Sequence, residues 1–267
     1  VCLIVLAWEA SPGTRLAAAA NRDEFFARPT APAAWWPDAP GVLAGRDLEA
    51  GGTWLGVTRE GRFAALTNFR DLSIPKKSGA PSRGALAAGF LRGAESAREF
   101  LSRIRDGASS FEGFNLIVSD GLEVFTFSNV EGGPVALAPG VYGLSNHLLE
   151  TPWPKVIEAR ERFEQALAVA RDAEDLEGRL LALLENRPLA ADDTLPETGL
   201  PLDWERALSA AFVVLPDYGT RASTSVVVGR GGDVRFVERS FGVGGAPLGA
   251  VRETFRISAT PRARRRP

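Results

Sequence analysis

The sequence is poor in the residues on which most catalytic and metal sites rely. Cys2 is its only cysteine and His147 its only histidine. No intramolecular disulfide is possible, and a reducing compartment is the easier setting. A Cys/His zinc site is excluded, as is any Ser-His-Asp or Cys-His arrangement that does not use His147. Methionine is absent even at position 1, and lysine occurs only at positions 76, 77 and 155. No run approaches the ~20 apolar residues of a membrane helix, so no integral membrane association is expected. A formal net charge of −2 offers no global attraction for nucleic acid or an anionic membrane.

What is present supports a folded domain. With 45% of 267 residues hydrophobic, the chain can bury a sizeable core. Abundant Ala, Gly, Arg and Pro suggest a GC-rich bacterial genome, in which Val1 reads as a GTG start codon translated literally. The initiator would then be removed ahead of the small Cys2. The apolar start resembles a signal peptide only superficially: no positive residue precedes it, and Glu9 and Arg15 follow closely. A cytoplasmic location is expected. Arg262, Arg264, Arg265 and Arg266 predict a basic, disordered tail over 259–267, beyond a single domain at 1–258.

Hydrophobic patterning predicts strands at Cys2–Trp8 and 16–20, joined by Ser11-Pro12-Gly13-Thr14. A Pro- and Trp-rich loop is expected over 28–41. Strands follow at 42–45, 53–58 and 62–67, and helices at 82–91, with Ser82 as N-cap, and 96–104. A hairpin is expected at 114–128 across Asp120-Gly121, and a strand at 141–144. Helices at 154–170 and 173–184 precede a polar loop at 187–204. Strands at 211–215, 223–229 and 234–238 close the chain. Hairpins dominate and no βαβ alternation appears, which predicts an α+β protein of antiparallel sheet layered with helices.

Several residues carry possible chemistry. Cys2 is either a small buried residue of a strand or a nucleophile. As a mature N-terminal residue it would need no histidine, because its own α-amine, of pKa about 7.7–8.0, is a base. Asn21-Arg22-Asp23-Glu24 follows the strand expected to pair with Cys2–Trp8, so Asp23 would lie near Cys2. Asn68 and Asn146 each follow an apolar strand and are either turn residues or oxyanion donors. Arg221 stands at the entrance of a strand, where arginine is commonly solvated.

These segments carry a resemblance. Asn21–Glu24 reads NRDE, followed by Phe25-Phe26, Arg28-Pro29-Thr30, Gly45-Arg46-Asp47, Gly51-Gly52-Thr53-Trp54-Leu55-Gly56, Leu66-Thr67-Asn68 and Tyr218-Gly219-Thr220-Arg221. The chain resembles the NRDE, or transport-and-Golgi-organisation, family from Cys2 to about Phe241. That family is similar to the N-terminal nucleophile hydrolases of the choloylglycine-hydrolase and penicillin-acylase branch. The resemblance implies a four-layer αββα sandwich and a hydrolase acting on an amide or acyl group of a small molecule. It implies Cys2 as nucleophile, Asp23 orienting its amine or thiol, Asn68 and Asn146 at the oxyanion, and Arg221 lowering the thiol pKa. Asn21 and Arg22 are implied in substrate binding. The branch's arginine is replaced by Ala20, with Arg22 as a substitute one strand face over. No cofactor is expected. The alternative is non-catalytic haem or lipid carriage in the same cleft, with His147 as the haem ligand.

Overall fold

The computed structural model describes residues 2–258, and the expected basic tail at 259–267 lies outside the described residues. Strand β1 (Cys2–Trp8) and β2 (Thr14–Phe25) form the first hairpin, in register from Cys2↔Arg22 to Trp8↔Leu16. Strand β2 runs five residues past the expected end at 20, because Asn21–Glu24 stays in the ladder. β3 (Thr30–Trp36) and β4 (Ala39–Asp47) occupy most of the segment expected as a loop. Pro32 hides the strand pattern, and β3 tolerates it because it lies at a sheet edge with irregular register there.

β5 (Leu55–Thr58) and β6 (Phe63–Asn68) lead into α1 (Gly84–Arg92) and α2 (Ala97–Arg105). Ser96 caps α2 with a reciprocal Glu99 capping box. The N-cap of α1 is Arg83, not the expected Ser82, and no side chain caps it. β7 (Phe114–Ser119), β8 (Val124–Ser128), β9 (Val135–Ala136) and β10 (Gly140–Leu144) follow. The chain continues through α3 (Pro154–Val169), α4 (Ala173–Leu184) and α5 (Leu202–Leu208). It closes with β11 (Tyr218–Gly229), β12 (Asp233–Phe241) and β13 (Pro247–Arg256). The segment 211–215 is not a strand; it makes only the isolated bridge Val214↔Gly219. Strand β13 was hidden in the sequence, because only Val251, Glu253 and Phe255 alternate as half-buried residues on an otherwise exposed edge.

The strands form two antiparallel sheets, ordered β10-β1-β2-β11-β12-β13 and β3-β4-β5-β6-β7-β8-β9. Period-2 alternation assigns their faces. Ile4, Leu6, Ala18, Val226 and Phe236 of the first sheet pack on Leu43, Leu55, Phe63 and Ile117 of the second. Leu3, Val5, Ala17 and Ala19 point the other way, onto Phe163, Leu180 and Leu184 of α3 and α4. The outer face of the second sheet buries Phe90, Phe100 and Leu101 of α1 and α2. The result is the expected four layers, helix–sheet–sheet–helix. Each large apolar side chain so buried contributes roughly 1.5–3 kcal/mol.

One carboxyl interrupts the inter-sheet layer. Glu238 is 1% exposed; its Oε1 accepts from Ala33 N at 2.6 Å and its Oε2 from Thr224 Oγ1 at 3.3 Å. Burial pushes its pKa up to about 7, against the hydrogen bonds that favour the anion. Between the ordinary carboxyl value and about 7, the folded state holds a proton that the unfolded chain has released. Stability therefore falls as pH rises through this window. Glu238→Gln is expected to flatten that decline, so that urea midpoints at pH 5 and pH 8 differ less in the variant than in the parent protein.

Candidate active site

Strand β2 is central in its sheet, between β1 and β11, so its polar residues are held in place by ladders on both sides. Alternation then sends them to opposite faces. Arg22 shares the inter-sheet face with Ala18 and Ala20, and its guanidinium stacks 4.4 Å from the Trp54 ring. Ala20 and Arg22 are thus successive residues of one face, and not one strand face apart. Arg22 donates to Thr30 Oγ1 at 3.2 Å and lies 3.7 Å from both Glu24 and Asp47. Asn21, on the helix face, donates to Leu184 O and Ala211 O and accepts from Ser223 Oγ. Its amide group ties the end of α4 and the segment after α5 to the sheet, and it does not line the cleft described next.

A cleft of about 600 Å³ opens where the two sheets diverge, lined among others by Cys2, Arg22, Asp23, Trp54, Asn68 and Arg83. Cys2 begins β1 and Asn68 ends β6, so both sheets contribute to the lining. The Cys2 nitrogen donates to Asn146 Oδ1 at 2.8 Å, and Asn146 Nδ2 donates to Asn68 O at 2.8 Å. Asn146 does not line the cleft; it ties the Cys2 main chain to that of Asn68. Ser145 braces the same junction, donating from Oγ to Cys2 O and accepting at its own carbonyl from Thr67 Oγ1, both at 2.7 Å.

Burial pushes the Cys2 thiol up, and the negative charge of Asp23 adds to this; a hydrogen bond from the Asp23 backbone and the charge of Arg22 act in the opposite direction. Asp23 Oδ1 accepts from Thr220 Oγ1 at 2.7 Å, and its carbonyl accepts from the Tyr218 hydroxyl at 3.0 Å. Burial raises the Asp23 pKa, with Lys155, Thr220 and Arg22 acting in the opposite direction.

The structure does not place Arg221 at this cleft. Thr220 pairs with Asp23 and Ala222 with Arg22, leaving Arg221 as the extra residue of a β-bulge. The bulge turns its guanidinium onto the carbonyls of Phe25, Phe26 and Arg28, and it lines a separate cavity with Glu238 and Phe241. The charge of Arg22 does act on the thiol. His147 is also elsewhere, with Nδ1 2.9 Å from Thr151 Oγ1 and its ring packed on Phe69 and Trp153. Among the described residues, no group of three or more His, Cys, Asp and Glu side chains could hold a metal ion.

The sequence reading missed Lys155. It is the second residue of α3, 3% exposed, and its Nζ has no hydrogen-bond partner among the described residues. A cation at a helix N-terminus also opposes the helix dipole. Burial lowers its pKa to about 8, and the charges of Asp23 and Cys2 partly restore it. A signal was present, since Lys155 is one of three lysines in a chain that otherwise uses arginine.

Residues 1–242 match the family model for Transport and Golgi organisation 2. The chain belongs to this family. Among curated relatives, the Transport and Golgi organization protein 2 homolog of Bos taurus is 38% identical over 259 residues, covering 90% of this chain and 93% of the relative. The Homo sapiens homolog is 36% identical over 262 residues, with the same coverage of both chains. Among solved structures, a Caenorhabditis elegans N-acylethanolamine-hydrolyzing acid amidase ortholog is similar with a TM-score of 0.46 and 12% identity, covering 85% of this chain and 92% of that one. The family's NRDE segment, Asn21–Glu24, is here a buried central strand whose alternate residues serve two layers. Among the described residues, no helix is long and apolar enough to cross a membrane.

Proposed function

We propose that the protein is an N-terminal-cysteine hydrolase that cleaves a C–N amide bond of a small substrate after the chain preceding Cys2 is removed. One observation carries this reading. Asn146 holds the Cys2 nitrogen at 2.8 Å, while the thiol of the same residue opens into a cleft that also exposes Asn68. Freed, that nitrogen is an amine, a group whose ordinary pKa is about 7.7–8.0, beside a thiol whose pKa burial pushes up.

In this mechanism the thiol proton passes to the Cys2 amine, directly or through one water. The thiolate attacks the amide carbon, and the carbonyl π electrons move to oxygen. The Asn68 side chain donates to that oxyanion, and Asn146 fixes the spacing between amine and donor. The tetrahedral intermediate collapses; the leaving nitrogen takes the proton from the Cys2 ammonium, and a thioester remains. Water attacks the thioester with the amine as base, releasing a carboxylic acid and restoring the thiol. Asp23 orients the amine end of Cys2, and buried Lys155 balances the Asp23 charge.

Asn68→Ala is expected to lower kcat by about 10²–10³-fold while changing KM far less, because the donor acts on charge that develops in the transition state. Intact-mass analysis of protein acylated by a thiol-directed probe tests the processing step. The reading expects the adduct on a chain that starts at Cys2. An adduct found only on chains that retain preceding residues overturns it.

A further inference from the structure

The cleft holds four arginines and lysines, and they are not equivalent. Arg22 is shared among Thr30, Glu24 and Asp47 and stacked on Trp54, and Arg28 is paired with Asp47 and Glu49. Arg83 differs. It donates only from Nη1 to Gly113 O at 3.0 Å, with no carboxylate within ion-pair distance among the described residues. Burial lowers its pKa, and the charges of Glu112, Cys2 and Glu24 partly restore it. Lys76 lines the same wall, exposed and, among the described residues, without a hydrogen-bond or ion-pair partner.

The backbone fixes this wall. Thr53 N donates to Gly84 O at 3.2 Å, and a Cβ on Gly52 would lie 2.5 Å from the Gly84 carbonyl carbon. The two glycines let the loop before β5 touch the start of α1, which sets Arg83 and Gly84 at the cleft. The first turn of α1 has no acidic residue and no side-chain cap, and Glu112, which shares the lining, acts on Arg83 through its charge without forming an ion pair with it among the described residues.

We infer that the 76–84 wall recognises a carboxylate on the substrate, with Arg83 as its specificity residue and Lys76 in support. The inference rests on the cleft being the site of acyl transfer. The guanidinium fork suits a planar anion. Arg22 and Arg28 are already engaged by Glu24, Asp47 and Glu49, which leaves Arg83 and Lys76 as the two cations of the lining outside an ion pair among the described residues.

The test uses the lone cysteine. Iodoacetate and iodoacetamide attack the same thiolate and differ in charge, so the ratio of their rates is independent of the thiolate fraction. In the folded protein that ratio is expected to exceed the ratio for the urea-unfolded chain by about tenfold, the size of one charge-assisted contact. Arg83→Gln should return it to the unfolded value, Lys76→Gln should lower it by about two- to threefold, and Arg83→Lys should keep part of it. A folded ratio equal to the unfolded one, or one unchanged in a folded Arg83→Gln protein, overturns the inference. If Cys2 reacts with neither reagent, the acyl-transfer reading fails, and a second measurement decides the carboxylate site alone. Acetate, but not chloride at equal ionic strength, should protect Arg83 from phenylglyoxal in peptide-mapped modification; absence of protection rejects the site.

Discussion

Cys2→Ala is expected to reduce amide hydrolysis to background, a loss of at least about 10³-fold, without loss of the fold. The magnitude follows from the mechanism, since removing a covalent nucleophile leaves only binding and the oxyanion donor. The fold should survive because Cys2 is half-buried at the start of β1, and its main chain is held through its nitrogen by Asn146 and through its carbonyl by Ser145. None of these bonds uses the sulfur. Screening fluorogenic acyl-aminocoumarin amides against parent and variant checks it, with circular dichroism reporting the fold. Turnover retained in Cys2→Ala sinks the assignment and leaves the cleft as a carrier site. Cys2→Ser keeps the shape with a poorer nucleophile and should fall between the two.

Lys155→Met is expected to separate stability from activity. In the parent protein burial depresses the pKa of Lys155 to about 8 from its ordinary 10.5. Between these values the unfolded chain holds a proton that the folded chain has released, so unfolding free energy rises with pH. The total gain across the window is about 3 kcal/mol. Methionine fits a similar volume without the charge and removes that gradient. Subtracting the urea-derived stability of the variant from that of the parent, pH by pH from 7 to 10.5, isolates it. A flat difference rejects the buried, charge-strained lysine.

Activity should move the other way. The Lys155 cation lies close enough to act on Asp23 and Cys2, and it disfavours a second positive charge on the Cys2 amine. Without it the amine holds its proton to higher pH. The acid limb of the kcat/KM profile is then expected to shift upward, with about a tenfold loss near neutral pH. A purely structural lysine would change stability and leave that limb in place.

Much of the layer order could be read from residue patterns. Strand β1 and helix α4 have the bounds that their apolar runs predict, and the hairpin across Asp120-Gly121 forms as its turn requires. Patterning failed where burial is one-sided or broken by proline. The edge strands β3 and β13 carry Pro32 and Gly249 and cover only part of one face, so their sequences look like loops. The NRDE segment looked like a strand end because polar residues usually mark one. It is instead a central strand, whose charges are matched by groups from β11, α3 and the second sheet.

The sequence by itself determined the scarcity that frames the chemistry. With one cysteine and one histidine, a nucleophile that needs no histidine is the economical solution, and hairpin-rich patterning leads to layered antiparallel sheets. Only the tertiary structure decided which polar residues meet. A β-bulge one residue long turned Arg221 away from Cys2, alternation along β2 separated Asn21 from Arg22, and a two-glycine contact brought Arg83 to the cleft. A one-residue offset reverses the face a side chain serves, and no local pattern encodes where such an offset falls or which distant chain it will face.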